Sequence, residues 1–252
     1  MIRVEQAVLA YGSVEVLKGL SASIPAGGVT SVIGANGAGK STLLSAMSRL
    51  APLRSGRITV GGLDVSTAPS RALARMLAVL RQENHVTLRL TVRELAAFGR
   101  FPHSGGRLRA EDVERVEEAL GLVSLGALAE RRLDELSGGQ RQRAFLAMVL
   151  AQDTEVLMLD EPLSSLDMRH SVEVMRLIRS LADEHGKTVV VVIHDVNLAA
   201  RCSDSLLALK DGRAVCHGAP EEVLRPEVLR EVFDVEADVH RIGGRPFAVP
   251  RW

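Results

Sequence analysis

Short apolar runs alternate with segments of helical periodicity along most of the chain. The runs are typical of buried strands and lie at residues 29–33, 76–80, 156–159 and 188–193. Apolar residues three or four positions apart predict the helices, which are expected at residues 41–50, 90–132, 144–152 and 171–184. Strands that alternate with helices favour a mostly parallel sheet with helices on both faces. In such sheets, ligands bind beyond the carboxyl ends of the strands.

The rest of the chain carries weaker or shorter signals. They predict short strands before about residue 60, a hairpin at 206–215, helices at 220–224 and after Pro226, and a last strand. The hairpin rests on Asp211-Gly212, a strong tight-turn sequence. Pro102 and the Ser-Gly-Gly at 104–106 divide the helical stretch between residues 90 and 132.

Composition places the chain among ordinary globular proteins. Its 252 residues are 46% hydrophobic and 25% charged, which suits one large domain or a domain with an inserted subdomain. Basic and acidic residues balance at 31 each, which argues against nucleic acid as a partner. The two cysteines cannot build a disulfide framework and fit a reducing compartment. Neither a membrane-spanning run of roughly 20 apolar residues nor an apolar signal core is found, so we expect no membrane span and no secretion.

The segment from Gly34 to Ser41 matches the pattern G-x-x-x-x-G-K-[ST] between a predicted strand and a predicted helix. Its glycines allow backbone N–H groups to surround a phosphate chain, and the helix start adds donors and a positive dipole. We expect Lys40 to reach the β- and γ-phosphates of a nucleotide and the Ser41 hydroxyl to bind Mg²⁺. An ordinary glycine-rich turn is the alternative, and the flanking strand and helix disfavour it.

Two acids end the apolar run at residues 156–159, where Asp160 and Glu161 follow one another. A carboxylate at a strand end can hold Mg²⁺, usually through water, and a second one can polarise the attacking water. A plain polar turn is common at such a position. The phosphate loop upstream favours the chemical interpretation, because the metal ion needs a carboxylate.

Polar residues elsewhere complete the predicted site. The Leu-Ser-Gly-Gly-Gln segment at 136–140 precedes a helix and offers a hydroxyl and exposed N–H groups as a second anion site, although a simple Ser cap would explain it alone. Gln82 and His194 each follow a buried-type strand, and Asp167 comes shortly after Glu161. Each alone is an ordinary surface residue, but polar groups after four strands would converge on one nucleotide.

With these motifs in this order and spacing, the sequence resembles the ATP-binding-cassette (ABC) ATPases from Tyr11 to about Val223. The resemblance implies an α/β fold, with a P-loop NTPase parallel-sheet core, an N-terminal antiparallel β part and an inserted helical subdomain. It divides the chain into a RecA-like core with the β part at 1–82 and 136–220, the helical subdomain at 83–135 and a C-terminal tail at 221–252. The Leu-Ser-Ser spelling at 163–165, where Thr-Ser-Ala is commoner, is a small departure.

The resemblance also implies the role of each site residue. ATP and Mg²⁺ are the implied cofactors. Catalysis would rest on Glu161, His194 as the switch histidine, and Lys40. Nucleotide contacts would come from Tyr11, which stacks on adenine, and from Gly34, Ala35, Asn36, Gly37, Ala38, Gly39, Lys40, Ser41, Thr42, Gln82, Ser137, Gly138, Gly139, Gln140, Asp160 and Asp167. Mg²⁺ would be held by Ser41, Gln82 and Asp160.

Partners follow from the same resemblance. Residues 136–140 would complete the ATP site of a second copy of the chain, Asp167 would signal across that interface, and Gln82 would contact transmembrane permease subunits. The chain would then lie peripherally at the cytoplasmic face of the cell membrane and would reach a substrate-binding protein only through the permease.

Residues 88–103, together with 82–85 and 239–250, are similar to the ATPases of ferric-siderophore, haem and cobalamin importers, with ferric siderophore the nearest. Haem or cobalamin import is the first alternative. A soluble ABC ATPase of DNA repair or translation is a weaker one, because the chain has one cassette and a short segment between residues 82 and 136. A small-molecule kinase would leave residues 136–140 unexplained.

Overall fold

The computed structural model describes residues 1–82 and 88–251, in which helices come between the strands from the third strand onward. The strands are β1 Ile2–Tyr11, β2 Val14–Ile24, β3 Gly28–Gly34, β4 Ser55–Val60, β5 Leu63–Asp64, β6 Leu77–Leu80, β7 Val156–Asp160, β8 Thr188–Val192, β9 Ser205–Lys210, β10 Arg213–Gly218, β11 Ala237–Ile242 and β12 Arg245–Pro250. The helices are α1 Lys40–Met47, α2 Ser70–Met76, α3 Val92–Phe98, α4 Phe101–Ser104, α5 Ala110–Leu122, α6 Gly138–Ala151, α7 Met168–Asp183, α8 Val196–Cys202, α9 Pro220–Val223 and α10 Pro226–Phe233. Two 3-10 turns, Gly126–Leu128 and Leu133–Glu135, lie between α5 and α6.

Ten of the twelve strands in the described residues form a mostly parallel central sheet and a separate antiparallel sheet, and β11 pairs with β12. The central sheet has the order β10-β9-β3-β8-β7-β6, and its strands are parallel except for the β9–β10 hairpin. The antiparallel sheet has the order β2-β1-β4-β5. This arrangement confirms the predicted α/β fold with a parallel core and an N-terminal antiparallel β part.

Two hydrophobic cores cover the two faces of the central sheet. Along β8, Val189 and Val191 belong to one core, while Val190 and Val192 belong to the other. Successive side chains of a strand point to opposite faces. A strand buried on both faces is therefore apolar at almost every position, and after Thr188 residues 189–193 are apolar without a break.

The helical part lies on one of these cores. Helices α3 and α5 pack against α6, and α3 starts at a capping box in which the Thr91 hydroxyl accepts from the Glu94 N–H. The boundaries predicted at 82/83 and 135/136 stay predictions, and residues 83–87, including the siderophore-type resemblance at 83–85, lie outside the described residues. Within residues 1–82 and 88–251, no helix combines the length and apolar character needed to cross a bilayer.

The ends of some elements differ from the sequence prediction. Helix α1 is predicted to reach residue 50 but ends at Met47, because Arg49 takes a left-handed φ of 61° and the Leu50 N–H closes back on the Ser45 carbonyl at 2.8 Å. Residue 76 was expected to begin a strand and instead ends α2. The single last strand expected near the C-terminus is a hairpin of two strands, β11 and β12.

Candidate functional site

Four neighbouring strands deliver polar residues to one edge of the central sheet. In the order β3-β8-β7-β6, the carboxyl ends lead to Gly34, His194, Asp160 and Gln82. A cleft of about 620 Å³ lies at this edge. It is lined by Val16, Asn36, Gly37, Gly39, Lys40, Ser41, Thr42, Gln82, Glu161 and His194. The structure therefore brings together most of the residues that the sequence selects.

The loop after β3 has a backbone that depends on glycine. Gly34 has a φ of 149°, and a Cβ there would lie 2.4 Å from the Leu209 carbonyl oxygen. Gly39, the residue before α1, has a left-handed φ of 99°. These conformations turn the chain sharply into α1, whose first N–H groups have no partner within the helix and suit an anion.

Lys40 is the buried cation of this loop. Its side chain is 6% exposed, and its Nζ donates to the carbonyl oxygens of Gly34 at 2.9 Å and Ala35 at 3.0 Å. Burial lowers the pKa of the Lys40 ammonium, and the charges of Glu161 and Asp160 oppose that shift. The ammonium lies inside the loop, where a phosphate chain would meet it.

The Asp160 carboxylate lies beside the phosphate loop. The Ser41 hydroxyl donates to its Oδ1 at 3.0 Å. Burial raises the pKa of Asp160, the Ser41 hydrogen bond opposes this, and the charge of Glu161 adds to the rise. Ser41, Asp160 and Gln82 together line a cavity of about 200 Å³. Hydroxyl, carboxylate and amide oxygens are donors that suit Mg²⁺, so the donor set fits the predicted metal.

Glu161 is held from both sides. Its Oε1 lies 2.6 Å from Nε2 of His194, and its Oε2 accepts from Nε2 of Gln82 at 2.9 Å. Its φ of 49° is unusual for a residue with a side chain. The carboxylate side chain is only 14% exposed. Glu161 therefore sits in the cleft in a fixed orientation, with residues from the ends of β6 and β8 on its two oxygens.

The segment at 136–140 lies outside this cleft in its own chain. Ser137 caps α6, because its Oγ accepts from the Gln140 N–H at 3.3 Å, while Oε1 of Gln140 accepts from the Ser137 N–H at 3.0 Å. A Cβ on Gly139 would lie 3.2 Å from a methyl group of Leu166, so the turn before α7 packs closely on the helix start. Among the described residues that line the cleft, none comes from 137–140.

Tyr11 and Asp167 also lie apart from the cleft wall. Tyr11 ends β1 and is 55% exposed. Among the described residues that line the cleft, Val16 comes from β2 and Tyr11 is not included. Asp167 caps α7, where Oδ1 accepts from the His170 N–H at 2.8 Å, and this backbone hydrogen bond holds the pKa of Asp167 below its usual range. Val16 carried no signal in the sequence, because an isolated valine at the start of a strand is ordinary.

Comparison with known proteins assigns this arrangement to a family. The family model described as ABC transporter matches residues 17–164. This chain belongs to the ABC transporter family. It contains the family's ATP-binding cassette and is an ATPase, as the phosphate loop and the acid pair predicted.

Relatives match the chain over its whole length. A petrobactin import ATP-binding protein of Bacillus subtilis is 47% identical and covers 99% of each chain. The ferric enterobactin transport ATP-binding protein of Escherichia coli is 39% identical, over 99% of this chain and 93% of its own. The solved dimeric, post-hydrolysis structure of the cassette MJ0796 with ADP and Pi superposes with a TM-score of 0.79 at 27% identity, covering 87% of this chain and 98% of that one.

Proposed function

We propose that this chain is the ATP-hydrolysing subunit of an importer for ferric siderophores. The observation that carries the proposal is the 47% identity to a petrobactin import ATP-binding protein over 99% of both chains. The relative that is named for ferric enterobactin transport is also similar over nearly the whole chain. The subunit would act at the cytoplasmic face of the membrane, together with a second copy of itself and with permease subunits. A substrate-binding protein would deliver the siderophore to the permease.

In this function, the phosphate loop binds and orients the nucleotide. Lys40 exchanges its bonds to the loop carbonyls for the β- and γ-phosphates, and the first N–H groups of α1 contact the phosphate chain. Ser41, Asp160 and Gln82 are the residues that would hold Mg²⁺, which supplies charge neutralisation at the phosphates when bound. The exposed ring of Tyr11 would stack on the adenine.

Glu161 is the proposed general base. Its carboxylate is placed to accept a proton from the attacking water, while His194 and Lys40 stabilise charge on the γ-phosphoryl group. Both Glu161 oxygens are engaged by Gln82 and His194 in the described conformation. Each carboxylate oxygen can accept a second hydrogen bond, so the attacking water can bind beside these contacts, and Gln82 and His194 set the orientation in which Glu161 receives its proton.

An apolar groove on the helical part suits the permease. It measures about 270 Å³ and is lined by Leu90, Glu94, Ala97, Phe98, Phe101, Ser104, Gly106 and Leu108. Phe98 is 51% exposed and Phe101 62% exposed. Adjacent exposed aromatic residues mark interaction surfaces rather than ordinary solvent-facing positions. Its lining residues from Leu90 to Phe101 belong to the segment 88–103, whose sequence is similar to those of iron-chelate importers.

Uptake of radioiron-loaded petrobactin and enterobactin tests the proposal. Cells that lack this subunit are expected to lose uptake of a ferric siderophore, a plasmid copy should restore it, and a Glu161→Gln copy should not. Normal siderophore uptake in the deletion strain, with haem or cobalamin uptake lost, would show that the cargo is haem or cobalamin and not a siderophore. Normal uptake of all these cargoes would overturn the importer function proposed here.

A further inference from the structure

The segment from Gly99 to Ser104 combines one exposed side chain with an anchored backbone. Phe101 stands 62% exposed in the apolar groove, whereas Arg100 next to it is only 4% exposed. The Arg100 guanidinium donates to Oδ1 of Asp112 at 2.9 Å and to the Ala151 carbonyl at 2.9 Å. A buried arginine that is bonded to both neighbours fixes this segment to α5 and to the end of α6. A force on Phe101 therefore acts on the helical part as a whole.

Two arginines of α2 bind the backbone of the same segment. Arg71 donates through Nε to the Pro102 carbonyl at 2.9 Å and through its NH2 group to the His103 carbonyl at 3.1 Å. Arg75, one helical turn further, also donates through Nε to the Pro102 carbonyl, at 3.1 Å. The carbonyl of Pro102, the residue after Phe101, therefore accepts from two guanidinium groups. This cluster joins the groove to α2.

A second connection runs through the end of α6. Nε2 of His103 lies 3.0 Å from the Gln152 carbonyl oxygen and donates to it. The Gln152 side chain in turn donates through Nε2 to the carbonyl oxygens of Ala74 at 2.6 Å and Leu77 at 2.9 Å. These two carbonyls belong to the last turn of α2 and the first residue of β6. The junction of α2 and β6 is thereby held from two directions.

This junction leads directly to the catalytic cleft. Helix α2 ends at Met76, β6 spans Leu77–Leu80, and Gln82 follows two residues later with its side chain on Glu161. Among the described strands, β6 lies at the edge of the central sheet and pairs with β7 alone. An edge strand has one neighbour to hold it, so it can shift more readily than a central strand.

We propose that Arg71 and Arg75 are positioning residues that transmit contact at Phe101 to Gln82 and so to Glu161. The connection consists of direct hydrogen bonds from the groove to α2 and an unbroken chain from α2 to Gln82, which is a contiguous physical network. The inference rests on the proposed function, in which a permease occupies the groove. Because energetic coupling is reciprocal, nucleotide binding in the cleft must also change the surroundings of Phe101.

That reciprocity allows a test on the isolated subunit. In a Glu161→Gln background with Cys202 and Cys216 replaced by alanine, Phe101→Cys is labelled with an environment-sensitive fluorophore and titrated with ATP. We expect a fluorescence change on ATP binding whose amplitude falls roughly fivefold or more in Arg71→Ala/Arg75→Ala. ATP affinity, measured separately with a labelled nucleotide, should stay within about twofold. A role confined to folding would not separate amplitude from affinity in this way.

The matched control is Arg54→Ala/Arg57→Ala, which removes two exposed arginines that each pair with one acid near the antiparallel sheet. This control should keep the full fluorescence change. An unchanged amplitude in Arg71→Ala/Arg75→Ala would overturn the proposal, and so would a label that never responds to ATP. The result is independent of the uptake experiment, so a wrong cargo and a wrong connection are told apart. In the complex with its permease, Arg71→Ala/Arg75→Ala should lose permease-stimulated hydrolysis but keep the basal rate.

Discussion

Asp153 shows at the residue scale how one carboxylate joins two parts of the chain. It accepts from Nζ of Lys187 at 2.8 Å, and Nε of Arg115 in α5 lies 3.7 Å from its other oxygen. Burial raises the pKa of Asp153, but the hydrogen bond from Lys187 and the charges of Lys187 and Arg115 outweigh it, so the pKa is lowered. A carboxylate with a lowered pKa stabilises the folded state above its usual pKa, and this stability is lost as the pH falls through the lowered value.

Asp153→Asn is therefore expected to lower the melting temperature at pH 7, with a loss that fades as the pH is reduced below about 4. Asparagine tolerates the positive φ of 51° at this position, so backbone strain does not add to the effect. Thermal unfolding between pH 3 and pH 7 measures the difference. Asp134→Asn, at an exposed position, is the control and should change little. A loss that is equal at both ends of the pH range would exclude the ion pairs as its cause.

Glu161→Gln should reduce steady-state ATP hydrolysis by about 10²–10⁴-fold, the usual effect of losing a general base. The amide keeps the size of the side chain, so nucleotide binding should survive. Phosphate release and binding of a fluorescent nucleotide measure the two quantities separately. Glu155→Gln, an exposed glutamate just before β7, serves as the matched control. Turnover at the normal rate in Glu161→Gln would remove this residue from the catalytic role.

Local sequence patterns located most residues of the cleft wall. Gln82, Glu161 and His194 each come shortly after a strand, so an apolar run and the rule for parallel sheets pointed to them. Lys40 came from the glycine-rich pattern at residues 34–41. Val16 was missed because it reaches the cleft through the packing of the antiparallel sheet on the loop, which no local pattern records. The hydrogen bond from Gln82 to Glu161 is likewise a contact between distant segments.

At the scale of elements, Gly99 permits the close approach of α3 and α6. A Cβ at this position would lie 2.1 Å from the Met148 carbonyl oxygen, in a helical backbone that needs no glycine. Gly99→Ala should lower the free energy of unfolding by about 1–3 kcal/mol, the usual cost of overpacking. Urea unfolding measures the change.

Gly121 in α5 is the matched control, since it is also helical and a Cβ there would meet no atom within 4 Å. Gly121→Ala should raise the free energy of unfolding by about 0.4–1 kcal/mol, because alanine restricts the unfolded chain and favours helix. If both substitutions shifted stability in the same direction, the contact with Met148 would not explain the need for glycine at position 99.

Element boundaries were less predictable than the elements themselves. The predicted helix after the phosphate loop is three residues too long. Its leucines and methionine continue the apolar pattern to residue 50, whereas the left-handed backbone of Arg49 ends the helix at Met47. Helices α2 and α8 were not predicted, because seven residues span only two helical turns and show too little apolar periodicity to detect. The C-terminal hairpin depends on distant partners such as Asn197, whose amide exchanges two hydrogen bonds with the backbone of Ala248.

At the scale of the whole molecule, the cleft is lined by several segments of the chain. None of the described residues that line it comes from residues 137–140 of the same chain. Ser137 nevertheless presents the start of a 14-residue helix, which is an anion-binding element. The solved cassette to which this chain is similar is dimeric and holds ADP and Pi. These observations favour ATP sites formed between two copies, each from the phosphate loop of one and the Ser137 segment of the other.

Two inactive variants test this arrangement, Lys40→Ala in the phosphate loop and Ser137→Arg, which places a bulky cation where a γ-phosphate would dock. Each homodimer has two broken sites. In a mixed dimer, one site carries both changes, and the other combines an intact loop with an intact helix start from the opposite chain. Mixing should therefore restore up to about half of the wild-type hydrolysis per mixed dimer, if one good site turns over alone.

If each site lay within one chain, every chain in the mixture would stay inactive. Mixed dimers are isolated with two different affinity tags. No gain over the separate variants would count against the shared site or show that both sites must act together, and repeating the test with the permease, which holds the two copies together, separates these outcomes.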